Sequence, residues 1–106
     1  MRRPRKIRFT EKAKIDLALI WSYLADRASE AVAARFLHRF EGRLDQLLKL
    51  PLSGSSRGEL ADDLRVTFCE KYAIYYLPRV DEIIIVRVLH GSRDVDAIAD
   101  EGGFAI

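Results

Sequence analysis

The chain has 106 residues, a length that suits one compact domain. It is 49% hydrophobic and 32% charged, far from disordered composition, and 18 basic against 16 acidic residues leave +2, so it is no polycation. The lone Cys69 excludes an internal disulfide framework and fits a reducing compartment.

Arg2, Arg3, Arg5, Lys6 and Arg8 crowd the start, but Phe-Thr-Glu-Lys follows rather than an apolar signal core. Residues 1–5 read as a solvated basic arm, able to add phosphate contacts if a nucleic acid lies close. No apolar run approaches the roughly 20 residues of a membrane span, so no membrane partner and a cytoplasmic location are expected.

Lys6 to Phe9 alternates polar and apolar, which predicts a short strand with one buried face. Thr10 stands where a helix N-cap is wanted, with Glu11 at the positive end of the dipole. Ala13, Leu17, Ile20, Trp21 and Leu24 then form the stripe of an amphipathic helix, leaving Asp16, Ser22 and Asp26 off it. Ser29 is a second N-cap, and Val32, Phe36, Phe40, Leu44 and Leu47 predict a second helix that Pro51 and Gly54 end. So short a connection makes the two helices an antiparallel hairpin. Trp21, Phe36 and Phe40 are expected in the core, and His38 on the surface.

Ser53 to Gly58 reads as a polar loop. The period then changes to two, with strands predicted over Leu64–Cys69, Tyr72–Leu77 and Glu82–Leu89 as an antiparallel meander. In the last, unbroken alternation puts Ile84, Val86 and Val88 on one face and Ile83, Ile85, Arg87 and Leu89 on the other. Arg87 marks the second face for solvent or a partner. Residues 95–106 are expected to be a weakly ordered acidic tail, weakly helical at best. The order is β-α-α-β-β-β, an α+β fold with a helical hairpin on a small antiparallel sheet.

Three stretches resemble the ParE/RelE superfamily of bacterial toxin–antitoxin toxins, and ParE in particular. Ala13 to Tyr23 is similar to the family's A-x-x-D-L-x-x-I-W-x-Y; Pro51, Gly54, Arg65 and Tyr72 to Tyr76 to its P-x-x-G, R and Y-x-I-x-Y; and Arg87 to Asp94 to its R-V-L-H-G-x-R-D. The likeness runs from about Ile7 to Asp94. It implies the toxin of a type II (plasmid stabilisation) system, in a hetero-oligomer with a cognate ParD-like antitoxin, and no cofactor. ParE-like members are held to trap DNA gyrase on cleaved DNA; RelE-like members cut messenger RNA on the ribosome.

An RNA-cleaving site needs a base for the 2′-hydroxyl, cations for the phosphorane and an acid for the leaving group. The family's terminal-tyrosine version is disfavoured, because the tail has neither tyrosine nor cation and carries Asp94, Asp96, Asp100 and Glu101. A Glu, Arg, His version remains open, with Arg65, His90 and Arg93 as catalytic candidates and Glu59 or Glu70 as the carboxylate. In the poison reading His90 is a strand terminus, and His90 and Arg93 are the candidate target contacts. Tyr72, Tyr75 and Tyr76 offer either stacking faces or core. Asp62 and Asp63 read as a solvated pair, and no metal-ligand spacing occurs. Ile83, Ile85, Arg87 and Leu89, with Arg65, are the expected antitoxin contacts, because an apolar face turned from the helices needs a cover. The favoured function is a non-enzymatic poison of DNA gyrase; the alternative is a ribosome-dependent endoribonuclease. A toxin-like partner without toxicity is a third possibility.

Overall fold

The computed structural model describes residues 5–106. Strand β1 (Lys6–Phe9) leads through Thr10 into α1 (Glu11–Arg27), which packs against α2 (Glu30–Lys49) as a hairpin. Both predicted caps are made: the Thr10 hydroxyl accepts from the Ala13 N–H at 3.0 Å and the Ser29 hydroxyl from the Val32 N–H at 3.1 Å. The meander follows as β3 (Arg65–Cys69), β4 (Tyr72–Pro78) and β5 (Glu82–His90), preceded by the two-residue β2 (Ser55–Ser56) and followed by α3 (Val95–Asp100).

The sheet is larger and less uniform than the expected antiparallel one. Its order is β1-β5-β4-β3-β2, and β1 runs parallel to β5 with Phe9 opposite Ile85. The loop read at Ser53–Gly58 supplies β2, because Ser55 and Ser56 pair with Val66 and Arg65. Two helices on one side of a five-stranded mixed sheet make an α+β fold.

Alternation along β5 is broken. Tyr75 pairs with Arg87 and Tyr76 with Ile85, so Val86 has no partner and forms a bulge. An extra residue switches the parity of every side chain after it. Ile83, Ile85 and Val88 therefore share the helix face with Tyr72, Ile74 and Tyr76, whereas Ile84, Val86 and Leu89 lie on the opposite face with Ala73, Tyr75 and Leu77. The face assignment made from strict alternation is corrected accordingly. Ile83 and Ile85 are 0% exposed beneath the helices.

The opposite face has its own cover, and the tail provides it. Asp94 caps α3 by accepting from the Ala97 N–H at 3.1 Å, and Ile98 and Phe104 bury themselves on that face, Phe104 against Tyr75 with ring centroids 4.8 Å apart. The expectation of a weakly helical tail fails because these two residues find a surface; packing rather than propensity holds short helices. Tyr72, Tyr75 and Tyr76 are all buried, so none offers a stacking face, and Trp21 is half-buried rather than core. The basic arm lies mostly outside the described residues; Arg5 Nε donates to the Arg79 carbonyl at 3.1 Å.

Candidate functional site: an apolar groove at the open edge of β5

Because β1 ends opposite Ile85, the outer edge of β5 must find other hydrogen-bond partners beyond that point. The start of α1 supplies them. Thr10 donates its N–H to the Ile85 carbonyl at 3.0 Å and its hydroxyl to the Val86 carbonyl at 2.8 Å, and Asp16 accepts from the Val88 N–H at 3.0 Å. Asp16 also takes Arg87 in a fork, Nε at 2.7 Å and Nη2 at 2.9 Å, and Arg87 Nη1 donates to the Gly103 carbonyl at 3.1 Å. Asp16, only 7% exposed, thus ties α1, β5 and, through Arg87, the tail. The Asp16 hydrogen bond and charge hold the Arg87 guanidinium above its ordinary pKa despite burial. Arg87, expected on an open face for solvent or a partner, is instead an internal strut between α1 and the tail.

Past this lock the edge opens into a groove of about 290 Å³. Leu19, Ile20 and Tyr23 of α1 form one wall, Tyr72, Val88 and Leu89 the sheet side, and His90 and Arg93 the rim. Its outer lip is an exposed apolar ridge at i, i+4 and i+8 on α1: Ile15 at 57%, Leu19 at 64% and Tyr23 at 55% exposure. Sequence reading missed this ridge because it followed one stripe. Ile15, Leu19 and Tyr23 are a second apolar stripe with helical spacing, and that was the available signal.

His90 packs its ring edge-on to Tyr72, centroids 5.5 Å apart, and its Nδ1 accepts from the Ser92 N–H at 3.1 Å. The neutral ring then carries its proton on Nε2, an assignment made from the hydrogen-bond pattern. Arg93 is exposed beside it, one turn beyond the strand.

Arg65 is elsewhere. It pairs with Tyr76 while His90 pairs with Tyr72, four residues away along β4, or about 13 Å at a strand's rise. Its Nη1 donates to the Leu52 carbonyl at 3.1 Å and the Gly54 carbonyl at 2.6 Å. The Tyr76 hydroxyl completes this lock, accepting from the Gly54 N–H and donating to the Pro51 carbonyl, both at 2.9 Å. A Cβ on Gly54 would meet that hydroxyl at 2.5 Å, so glycine is required there by close approach. Arg65 therefore clamps the loop after α2 and does not join His90 and Arg93. Glu59 pairs with Arg57 away from the groove, whereas Glu70, paired with Arg39, lines an adjoining depression of about 410 Å³ together with Tyr23, Tyr72 and His90.

Of the five residues expected to meet the antitoxin, only Leu89 lines this groove, and it is 2% exposed. Ile83 and Ile85 lie under the helices, Arg87 is held by Asp16, and Arg65 by loop carbonyls. Among the described residues no three His, Cys, Asp or Glu side chains converge as a metal site, and no helix is long and apolar enough to cross a membrane.

The arrangement is that of a small α+β protein with an apolar groove at one sheet edge. Its fold is similar to a chain of the chromosomal ParDE TA system from P. aeruginosa, with a TM-score of 0.69 at 18% identity, covering 82% of this chain and 96% of that one. No curated protein sequence matches. The sequence profile described as ParE toxin of type II toxin-antitoxin system, parDE, matches residues 7–95. The chain belongs to the ParE toxin family of type II toxin–antitoxin systems.

Proposed function

We propose that this ParE-family toxin acts in the cytoplasm as a protein poison of DNA gyrase, and that a cognate ParD-like antitoxin neutralises it by seating an apolar segment in the groove between α1 and β5. The observation that carries the poison reading is the separation of Arg65 from His90 and Arg93. A ribonuclease must bring base, acid and phosphorane-binding cation to one phosphate. Here two strand registers set Arg65 about 13 Å from His90 along β4, and its guanidinium is spent on loop carbonyls. His90 and Arg93 on the groove rim are the remaining contacts available to a target.

The antitoxin seat is supported by the ridge of Ile15, Leu19 and Tyr23, which no element among the described residues covers. Aliphatic and aromatic anchors from the partner would fill the groove, and a partner carboxylate would meet Arg93 on the rim. The resulting species is a toxin–antitoxin hetero-oligomer.

Expression in bacteria tests the target class. The toxin should induce the DNA-damage response before protein synthesis falls, and His90→Ala should keep most of that toxicity. If His90→Ala abolishes toxicity with the fold and antitoxin binding intact, and cut messenger RNA vanishes with it, the endoribonuclease reading replaces this one.

A further inference from the structure

The second helix keeps its charges in two separate strips. Arg35, Arg39 and Arg43 recur at steps of four, within about 80° of arc and about 6 Å apart along the axis. Glu41 and Asp45 fall on the other flank, with the buried line of Phe36, Phe40 and Leu44 between the two. Helices that use charge for their own stability set opposite signs at i and i+4, whereas like charges at that spacing weaken them. Arg35, Arg39 and Arg43 face one another in that unfavourable way, and so do Glu41 and Asp45. Glu70 offsets this at Arg39 alone, and Arg35 and Arg43 meet no carboxylate among the described residues.

The basic strip borders the outer edge of β3 and faces a shallow groove of about 240 Å³ at Arg35 and Arg39. Arg35 makes no ion pair among the described residues. Arg43 donates to the Gln46 amide oxygen at 2.7 Å. Arg39 pairs with Glu70, a single carboxylate in the β3–β4 turn, and both side chains are well exposed, so the pair exchanges readily for a stronger anion. Lys49 shares a depression with Arg43 and Thr67 but stands four residues beyond Asp45 on the other flank, so the basic strip spans about 12 Å from Arg35 to Arg43.

We propose that this strip of α2 docks on duplex DNA through the phosphate backbone, with Arg35, Arg39 and Arg43 each engaging a phosphate. Guanidinium forks match phosphate oxygens bidentately, and the choice of Arg at all three positions fits that geometry. A rigid helix with evenly spaced cations complements a stiff, regular polyanion better than a flexible acidic peptide, which would gain little from even spacing. With the three guanidinium groups committed to phosphates, which carry no sequence information, the contact is independent of sequence. The selection of DNA among polyanions rests on the proposed action at a DNA-bound topoisomerase.

Fluorescence anisotropy of the full chain with a short labelled duplex tests it, across a salt series. The logarithm of affinity should fall with the logarithm of salt at a slope of roughly −3, the value expected for three phosphate contacts. Arg35→Ala combined with Arg43→Ala, the first exposed and the second half-buried, should reduce that slope to about −1 and weaken binding at least about tenfold at low salt, with an unchanged melting temperature as the check on folding. Lys6→Ala with Arg79→Ala, two exposed cations at the other end of the sheet, should leave it unchanged. Wild-type slope and affinity in the Arg35/Arg43 variant overturn the proposal. So does a loss of antitoxin affinity in that variant with duplex binding kept, which makes the strip an antitoxin contact. A parallel plasmid-cleavage assay with purified gyrase separates the two claims. Strip-dependent duplex binding without any gyrase cleavage removes the gyrase target alone; cleavage without strip-dependent duplex binding removes the strip alone.

Discussion

Asp16 shows how much one buried carboxylate does in this fold. It satisfies the Val88 N–H where β1 no longer reaches and neutralises Arg87 between α1 and the tail. Asp16→Ala would leave the half-buried Arg87 guanidinium with only the Gly103 carbonyl and the buried Val88 N–H without an acceptor, so we expect a loss of about 3 kcal/mol in urea unfolding. Asp16→Asn, which keeps an acceptor for Val88, should lose less. Burial also sets a pH dependence. Desolvation raises the pKa values of the Cys69 thiol and of the Tyr72 and Tyr75 hydroxyls. The unfolded chain then releases these protons at lower pH than the native one, so it binds fewer protons over that range and stability falls as pH rises. The decline should begin near the ordinary thiol pKa of about 8.5 and steepen near the tyrosine value of about 10. Cys69→Ala should remove the first part of that decline in melting temperature against pH, leaving the second.

At the scale of elements, the α3–Phe104 strap closes the second sheet face and lies almost entirely beyond the residues that match the family profile. Phe104→Ala should cost about 3 kcal/mol, the usual loss for emptying a buried aromatic site, in chemical unfolding. Antitoxin affinity should not change, because the groove is bounded by α1 and not by the strap. Phe104 and Ile98 also explain what was illegible in the sequence. Two apolar residues in an acidic tail carry no periodicity, and they fold only because a sheet face is waiting for them. The two helices and three meander strands were legible because each has a long stripe or run, with Thr10 and Ser29 marking both helix starts. The bulge at Val86 was not, since one unpaired residue leaves no trace in a hydrophobic run yet reverses the face of everything after it. That one event put Ile83 and Ile85 on the opposite face from Leu89. Arg65, His90 and Arg93 were legible as polar residues within family motifs, but their separation depends on register, which sequence spacing does not encode.

Taken as a whole, the molecule presents two different surfaces: an apolar groove beside α1 and a cationic strip along α2. Their chemistries suit different partners, a folded-on apolar segment for the first and a polyanion for the second. Under the proposed function, neutralisation and poisoning should be separable, and a single assay reads both. Purified gyrase, plasmid and ATP are incubated with the toxin, and broken DNA is counted after denaturing the protein. Wild-type toxin should convert plasmid to the linear form, and the cognate antitoxin should abolish it. Leu19→Glu, which puts a charge on the exposed ridge, should cleave whether or not the antitoxin is present. Intact plasmid at every toxin concentration, from a preparation that halts translation and cuts messenger RNA on purified ribosomes, would contradict the account.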